Sequence, residues 1–330
     1  MAPPAPNATL VPIVRMIGRY VSREFLSLLP LSRHELDRDY LTRNRPALLD
    51  ELWADDTTRV VVLTHGTALL NADGSLRLVS PSAVPLAELR LYLGKATAEP
   101  LGGVSIAAVV LGDDEAAALE PDRDRWGNLR AIGSRLPTLD AGLFTVALAL
   151  ANWHASHGFS PRNGEPTTAE LGGWVRKDPE GNEIFPRTDA AIIVGIVDGD
   201  DRILLGSNAL WEGNRYSLLA GFVEPGESLE NAVIREVFEE SGIRVVDPVY
   251  LGSQPWPFPA SLMLGFTARV DPEVEQTLTP DGAEILDLRW FSRAELKSSL
   301  GEVILPGHAS IARAILEHWY GGPIEDEIDW

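Results

Sequence analysis

Between Gly221 and Ile243 the chain reads Gly-Phe-Val-Glu-Pro-Gly-Glu-Ser-Leu-Glu-Asn-Ala-Val-Ile-Arg-Glu-Val-Phe-Glu-Glu-Ser-Gly-Ile, and this segment leaves the backbone few choices. Ser228 is placed to cap a helix at its start and Gly242 to end it. Leu229, Ala232, Val233 and Val237 trace an apolar stripe at helical spacing. A helix over 229–241 is predicted, entered and left by tight turns. On it Glu236, Glu239 and Glu240 stand at i, i+3 and i+4, so three carboxylates project from one side. Unneutralised, they repel and raise one another's pKa, a cost that a divalent cation reverses. Hard oxygen donors suit Mg²⁺ or Mn²⁺, not zinc. Three glutamates by themselves also read as an ordinary solvated helix face.

The rest of the chain bounds what surrounds that helix. At 330 residues two or three compact units are expected. Apolar residues make up 45%, which supports real cores. Forty-eight acids against 28 bases give a net charge of −20, which disfavours a general DNA-binding role. The absence of cysteine removes disulfides, thiolate nucleophiles and Cys-ligated zinc. The Ala/Pro-rich stretch 1–10 does not read as a secretory signal, and no apolar run approaches the ~20 residues that cross a bilayer. A soluble, cytoplasmic protein is expected.

Strands are predicted at 59–63 and 104–111, a turn at Asn71–Gly74, and a solvated acidic stretch over 113–124. A helix is predicted over 138–157, closed by Gly158. Residues 158–189, rich in Gly, Pro and charge, read as a connector. The run 190–197, the turn 198–201 and the run 202–205 form a hairpin, with further strands at 216–222, 245–251, 262–270 and 287–291 and a last helix over 310–320. The sum is an α/β layered architecture.

The spacing in the first segment is Gly221, five residues, Glu227, seven residues, Arg235-Glu236-Val237, one residue, Glu239-Glu240, one residue, Gly242-Ile243. It resembles the Nudix box, and all nine defined places are filled. The resemblance implies a Nudix fold, a mixed sheet between helices, in which the box holds divalent metal against a diphosphate. Glu236 and Glu240 match the main metal ligands, Glu239 a further ligand or base, and the carbonyl of Ala220 a backbone ligand. All three glutamates are candidate catalytic residues. Gly221, Glu227, Arg235 and Gly242 match structural places. Arg235 can clamp Glu227 bidentately while the other acids face the metal.

Downstream, Ser253-Gln-Pro-Trp-Pro-Phe-Pro-Ala-Ser261 reads from its prolines as a stiff extended loop without a regular ladder of donors. The string resembles the signature of the NADH pyrophosphatase subfamily. The implied activity is cleavage of the diphosphate of NADH or NAD⁺ to nicotinamide mononucleotide and AMP, and removal of NAD caps from RNA 5′ ends. The implied organisation is a smaller α+β N-terminal domain (1–157), a degenerate zinc-ribbon connector (158–189) and a Nudix domain (190–330), assembled as a homodimer. By the same resemblance, Gln254, Pro255, Trp256, Pro257, Phe258, Pro259, Ala260 and Ser261 form the nucleotide-binding loop. Glu284 is a metal ligand outside the box, and Phe185, Phe222 and Ala312 are substrate contacts. For the two phenylalanines core packing and ring stacking both remain open.

Where relatives carry four zinc-binding cysteines, this chain has Ser160, Asn163, Asp178 and Gly181, so no zinc is expected there. His154 and His157, without further ligands, read as packing or surface. Two other readings compete: a Nudix enzyme for another nucleoside diphosphate compound such as ADP-ribose, and an NAD-sensing module without turnover. At −20 the protein should not grip long RNA unless it carries a local basic strip.

Overall fold

The computed structural model describes residues 23–85, 87, 89–211 and 213–326; the expectation about residues 1–10 lies outside them. Three sheets organise the chain. The first contains β1 (Leu36–Asp37), β2 (Arg59–Thr64), β3 (Thr67–Leu69), β4 (Leu89–Ala96), β5 (Ser105–Val110) and β6 (Trp126–Asn128), in the order β1-β4-β5-β2-β3-β6. Short helices α2 (Leu48–Ala54), α3 (Asp113–Leu119) and α4 (Leu129–Ile132) surround it, whereas α1 (Arg23–Ser27) sends Phe25 into the core of the third sheet. Helix α5 (Thr138–Ser156) covers one face, burying Leu143, Phe144, Ala147 and Leu148 against Val61, Leu63, Leu91 and Leu93. The expected closure at Gly158 is not used: α5 stops at Ser156, and Thr167 caps the exit by donating to the carbonyls of His157 and Gly158 at 2.9 and 3.1 Å.

The connector is a small sheet of β7 (Thr168–Glu170), β8 (Val175–Lys177) and β9 (Glu183–Ile184). Its staple is a carboxylate. Asp178, 5% exposed, accepts from Ser160 Oγ (2.9 Å), Asn163 Nδ2 (3.2 Å), Asn182 Nδ2 (3.0 Å) and the backbone N–H of Glu180 and Asn182. Three of the four places where relatives have cysteine are thus joined by hydrogen bonds. His154 is buried: Arg176 Nη1 donates to its Nδ1 (2.7 Å), so Nε2 carries the proton and donates to the Gly173 carbonyl (2.8 Å). Burial keeps its pKa below the ordinary value, and no lone pair is left for a metal.

The third sheet contains β10 (Asp189–Val197), β11 (Ile203–Asn208), β12 (Leu219–Phe222), β13 (Val245–Trp256), β14 (Ser261–Val270) and β15 (Ile285–Phe291). The order is β13-β14-β10-β11-β15, with β12 also on β10. The β10–β14 pair is parallel and the others antiparallel. Two-residue alternation along β10 feeds both layers. Ile192, Val194 and Ile196 pack with Ala232, Val233 and Val237 of α6 (Leu229–Ser241). Ile193 packs with Ile311, Ala312 and Ile315 of α8 (Ile311–Tyr320), while α7 (Arg293–Ser299) contributes Leu296 to that core. A mixed sheet between helices results. Phe25 and Leu29, far upstream, are also buried in the α8 layer, so that core draws on these two residues as well as on 190–330. Full burial contributes roughly 1.5–3 kcal/mol for each.

The Pro-rich segment departs from the expected loop. Residues 253–256 are the end of β13, with Gln254 opposite Met263, Pro255 opposite Leu262 and Trp256 opposite Ser261. Only residues 257–260 turn. Prolines fit because β13 lies at the sheet edge, where a missing donor breaks no ladder. Among the described residues no helix is long and apolar enough to cross a membrane.

Candidate active site

Helix α6 is fixed at both ends by its own sequence. Ser228 Oγ accepts from Asn231 N (3.2 Å), and Gly242 ends the helix in the left-handed region at φ 69°. The entering loop is tied down by Arg235, which donates from Nε and Nη2 to the two oxygens of Glu227, both at 2.9 Å, and to the Phe222 carbonyl at 3.0 Å. Arg235 also reaches Glu236 and Glu239 at 2.9 Å each. Two of the three acids expected to face a metal freely are therefore partly neutralised by the arginine. Glu227, with burial opposing, holds that guanidinium firmly protonated, and Glu236 and Glu239 add to the effect.

Glu236 lies against β12. A Cβ at Gly221 would fall 2.0 Å from the Glu236 carboxylate carbon, so only glycine leaves the acid its place beside the Ala220–Gly221 backbone. Burial raises the Glu236 pKa, Arg235 opposes this, and Glu239 and Glu284 add to the rise. Glu240 is 6% exposed, and its Oε2 is buried with no hydrogen-bond partner. Burial, followed by the charges of Glu236, Glu284, Asp281 and Glu239, pushes its pKa up to about 8.

Glu284, 44 positions beyond Glu240, is brought into this field by the turn before β15. Asp281 Oδ1 accepts the N–H groups of Ala283, Glu284 and Ile285 at 2.9–3.0 Å and so sets that turn. Those donors hold the Asp281 carboxyl below its ordinary pKa. Among the described residues no three acidic side chains already converge on one point at ligand distance. The acids are adjacent but not preassembled. The donor set is nonetheless all oxygen, and the orphaned Glu240 oxygen is the kind of group a hard divalent cation satisfies.

The nucleotide-loop residues separate according to strand alternation. Trp256 lines a cavity of about 250 Å³ together with Ala312, Met263, Ile193, Ser217, Trp211 and Arg130. Trp256 and Phe258 stack edge to face at 4.8 Å, with the Arg130 guanidinium 4.3 Å from the Phe258 ring centre. Pro255, one step along, faces a different hollow. Gln254 is fully buried: Oε1 accepts from Leu31 N (3.2 Å) and Nε2 donates to the Ala309 carbonyl (2.9 Å). It braces the cavity wall and is not free for a nucleotide. Pro257 is buried, and Asn152 Nδ2 donates to the carbonyls of Pro257 (2.9 Å) and Pro259 (3.2 Å). The Ala260 carbonyl accepts from Asp189 N at 2.8 Å, and Ser261 opens β14. Phe185 and Phe222 are 61% and 60% exposed, so neither is core. Sequence reasoning misses Arg130, Trp211 and Asp281, because each is a single residue in a turn or short element with no pattern to mark it.

A carboxylate-bearing loop–helix–loop beside a mixed sheet between helices defines the Nudix type of hydrolase domain. A NUDIX domain model matches residues 186–314, and an NADH pyrophosphatase-like rudimentary NUDIX domain model matches residues 57–153. The NAD-capped RNA hydrolase NudC of Mycobacterium tuberculosis is 41% identical over 306 residues, which is 85% of this chain and 96% of that protein. Human NAD-capped RNA hydrolase NUDT12 is 33% identical over 249 residues, 69% of this chain and 53% of its own length. A NUDIX hydrolase structure from Nitrosomonas europaea superposes with a TM-score of 0.39 at 22% identity, covering 50% of this chain and 94% of its own. The chain belongs to the Nudix hydrolase family, in its NADH pyrophosphatase branch.

Proposed function

We propose that this protein hydrolyses the diphosphate of NADH and NAD⁺ to nicotinamide mononucleotide and AMP, and removes NAD caps from RNA 5′ ends. The observation that carries the reading is Glu240, a buried carboxylate with one unpartnered oxygen and four other acids around it. Such a group is an electrostatic cost that a divalent cation offsets.

Mg²⁺ or Mn²⁺ fits the oxygen donors. Glu236, Glu240 and Glu284 would hold it with the Ala220 carbonyl, and Glu239 is a further ligand or base. Bound there, the ion supplies neutralisation of diphosphate charge and a more acidic water. The chain's own residues do the rest. Arg235 fixes the loop to the helix, and a carboxylate of the cluster takes the proton of the attacking water. Trp256, Phe222 and Phe185 offer faces for the two ring systems. No covalent intermediate is needed.

The relatives named for NAD-capped RNA hydrolysis support this substrate class over ADP-ribose. A homodimer completes the reading, with exposed Phe185 available to a second chain, and the cysteine-free composition suits a cytoplasmic setting. The test compares NADH, NAD⁺, ADP-ribose and NAD-capped RNA in ¹⁸O water with Mg²⁺ or Mn²⁺. Preferred cleavage of ADP-ribose, or tight NADH binding without products, overturns the proposal.

A further inference from the structure

A second hollow, of about 610 Å³, opens where the arm before α2, helix α5, the connector and the β13–β14 hairpin meet. Arg33, Arg38, Arg43 and Arg187 line it, a concentration of cations out of keeping with a chain of charge −20. Among the described residues Arg33, Arg38 and Arg43 form no ion pair. Asp39 is nearby but is taken up by Tyr92 Oη (2.7 Å), Thr42 Oγ1 (2.8 Å) and Lys95 Nζ (3.5 Å). Arg187 alone is matched, by Asp189 at 2.7 Å.

Arg38 and Arg43 converge on the Trp174 ring, 5.4 and 3.7 Å from its centre. Burial, and then Arg38, lower the Arg43 pKa to about 10. Arg43 Nε is buried without a hydrogen-bond partner. Two like charges held together with a spare donor, beside a single carboxylate already shared among three other partners, suit an anionic ligand. Tyr40, 69% exposed, stands on the same rim. Cations beside a free aromatic face are the composition that holds single-stranded nucleic acid.

The hollow neighbours the aromatic cavity across the β13–β14 hairpin. Pro255 and Leu262 face it, while Trp256 and Met263, next along the same two strands, face the aromatic cavity. Leu262 also packs with the α6 layer.

We propose that this hollow holds the phosphodiester backbone of the RNA behind the cap, with Arg33, Arg38 and Arg43 on phosphates and Tyr40 against a base. The proposal rests on the NAD-cap reading and adds a site outside the catalytic cluster. The test uses the full chain and Arg33→Gln/Arg38→Gln, which leaves Arg43 on Trp174. KM for a capped RNA of about ten nucleotides should rise about tenfold, with kcat and KM for NADH unchanged. The logarithmic salt slope should flatten by about 1.4, at ~0.7 for each of two phosphates no longer neutralised. Unchanged RNA kinetics, or equal losses on RNA and NADH, overturns the proposal. Should the unaltered protein cleave NADH but no capped RNA, the NAD-cap reading fails, and anisotropy with an uncapped oligonucleotide decides the hollow: weaker binding by the variant supports it, and equal or absent binding sinks it.

Discussion

Glu240→Gln separates the electrostatic cost of the site from its use. In the metal-free protein the Glu240 pKa stands at about 8 against an ordinary 4.5. The folded state therefore holds the proton over a window in which the unfolded chain has lost it. Stability from this group is highest below pH 4.5 and falls as pH rises to about 8, where the folded carboxyl ionises too. At ~1.4 kcal/mol per tenfold difference in proton affinity, the full loss is on the order of 5 kcal/mol. Glutamine removes the charge but leaves an amide with an unmet bond, at a cost of about 1–3 kcal/mol. The variant should thus be more stable than the unaltered protein at pH 9 by roughly 2–4 kcal/mol and no more stable at pH 4.5. Thermal unfolding in EDTA across pH 5–9 reads this as a Tm difference that widens with pH. Mg²⁺ should raise the Tm of the unaltered protein far more than that of the variant, and the variant should not hydrolyse NADH. Parallel Tm curves at all pH values, or full NADH turnover by the variant, would refute the reasoning.

Other substitutions probe the supports. Gly221→Ala puts a methyl where the Glu236 carboxylate lies, so metal-dependent NADH hydrolysis should fall about a hundredfold, the scale of a 1 Å misplacement, while circular dichroism stays unchanged. Gln254→Leu leaves Leu31 N and the Ala309 carbonyl unpaired, so denaturant titration should show a loss of about 2–4 kcal/mol. Trp256→Ala should raise KM for NADH by removing ring stacking worth ~1–3 kcal/mol, with kcat less affected. Asp178→Ala should lower the Tm, whereas zinc chelators should leave the unaltered protein's Tm where it is.

Local rules made most of the fold legible. The bounds of α6 follow from Ser228, Gly242 and the apolar stripe between them, because caps and helical spacing act within a few residues. The hairpin of β10 and β11 and the end of β15 at Phe291 are likewise short-range features, though β15 begins at Ile285, two residues before the expected start. What escaped depends on distance. That β13 is an edge strand, and so tolerates Pro255, is a property of the whole sheet. That Gln254 turns inward to Leu31 and Ala309 depends on segments 223 and 55 positions away. Arg235 fills its expected place against Glu227, yet its remaining donors also reach Glu236 and Glu239, a sharing that spacing alone does not reveal.

The connector shows the same limit from the other side. From composition, the absence of cysteine rules out thiolate-held zinc and leaves the three-stranded unit without an obvious anchor. Nothing in Ser160, Asn163 or Asp178 taken singly marks a replacement. Folded together, they place five donors around one buried carboxylate; burial opposes its ionisation, and the donors from Asn182, Ser160 and Glu180 outweigh it. A tetrahedral metal and a carboxylate ringed by N–H and O–H groups are different chemistries for one geometric task, which is to gather two turns about a point of charge. The task here has a functional end. The strand closed by this cluster, β9, runs straight into Phe185 and Arg187, so the hydrogen-bonded turn sets where an exposed ring and a wall of the basic hollow stand.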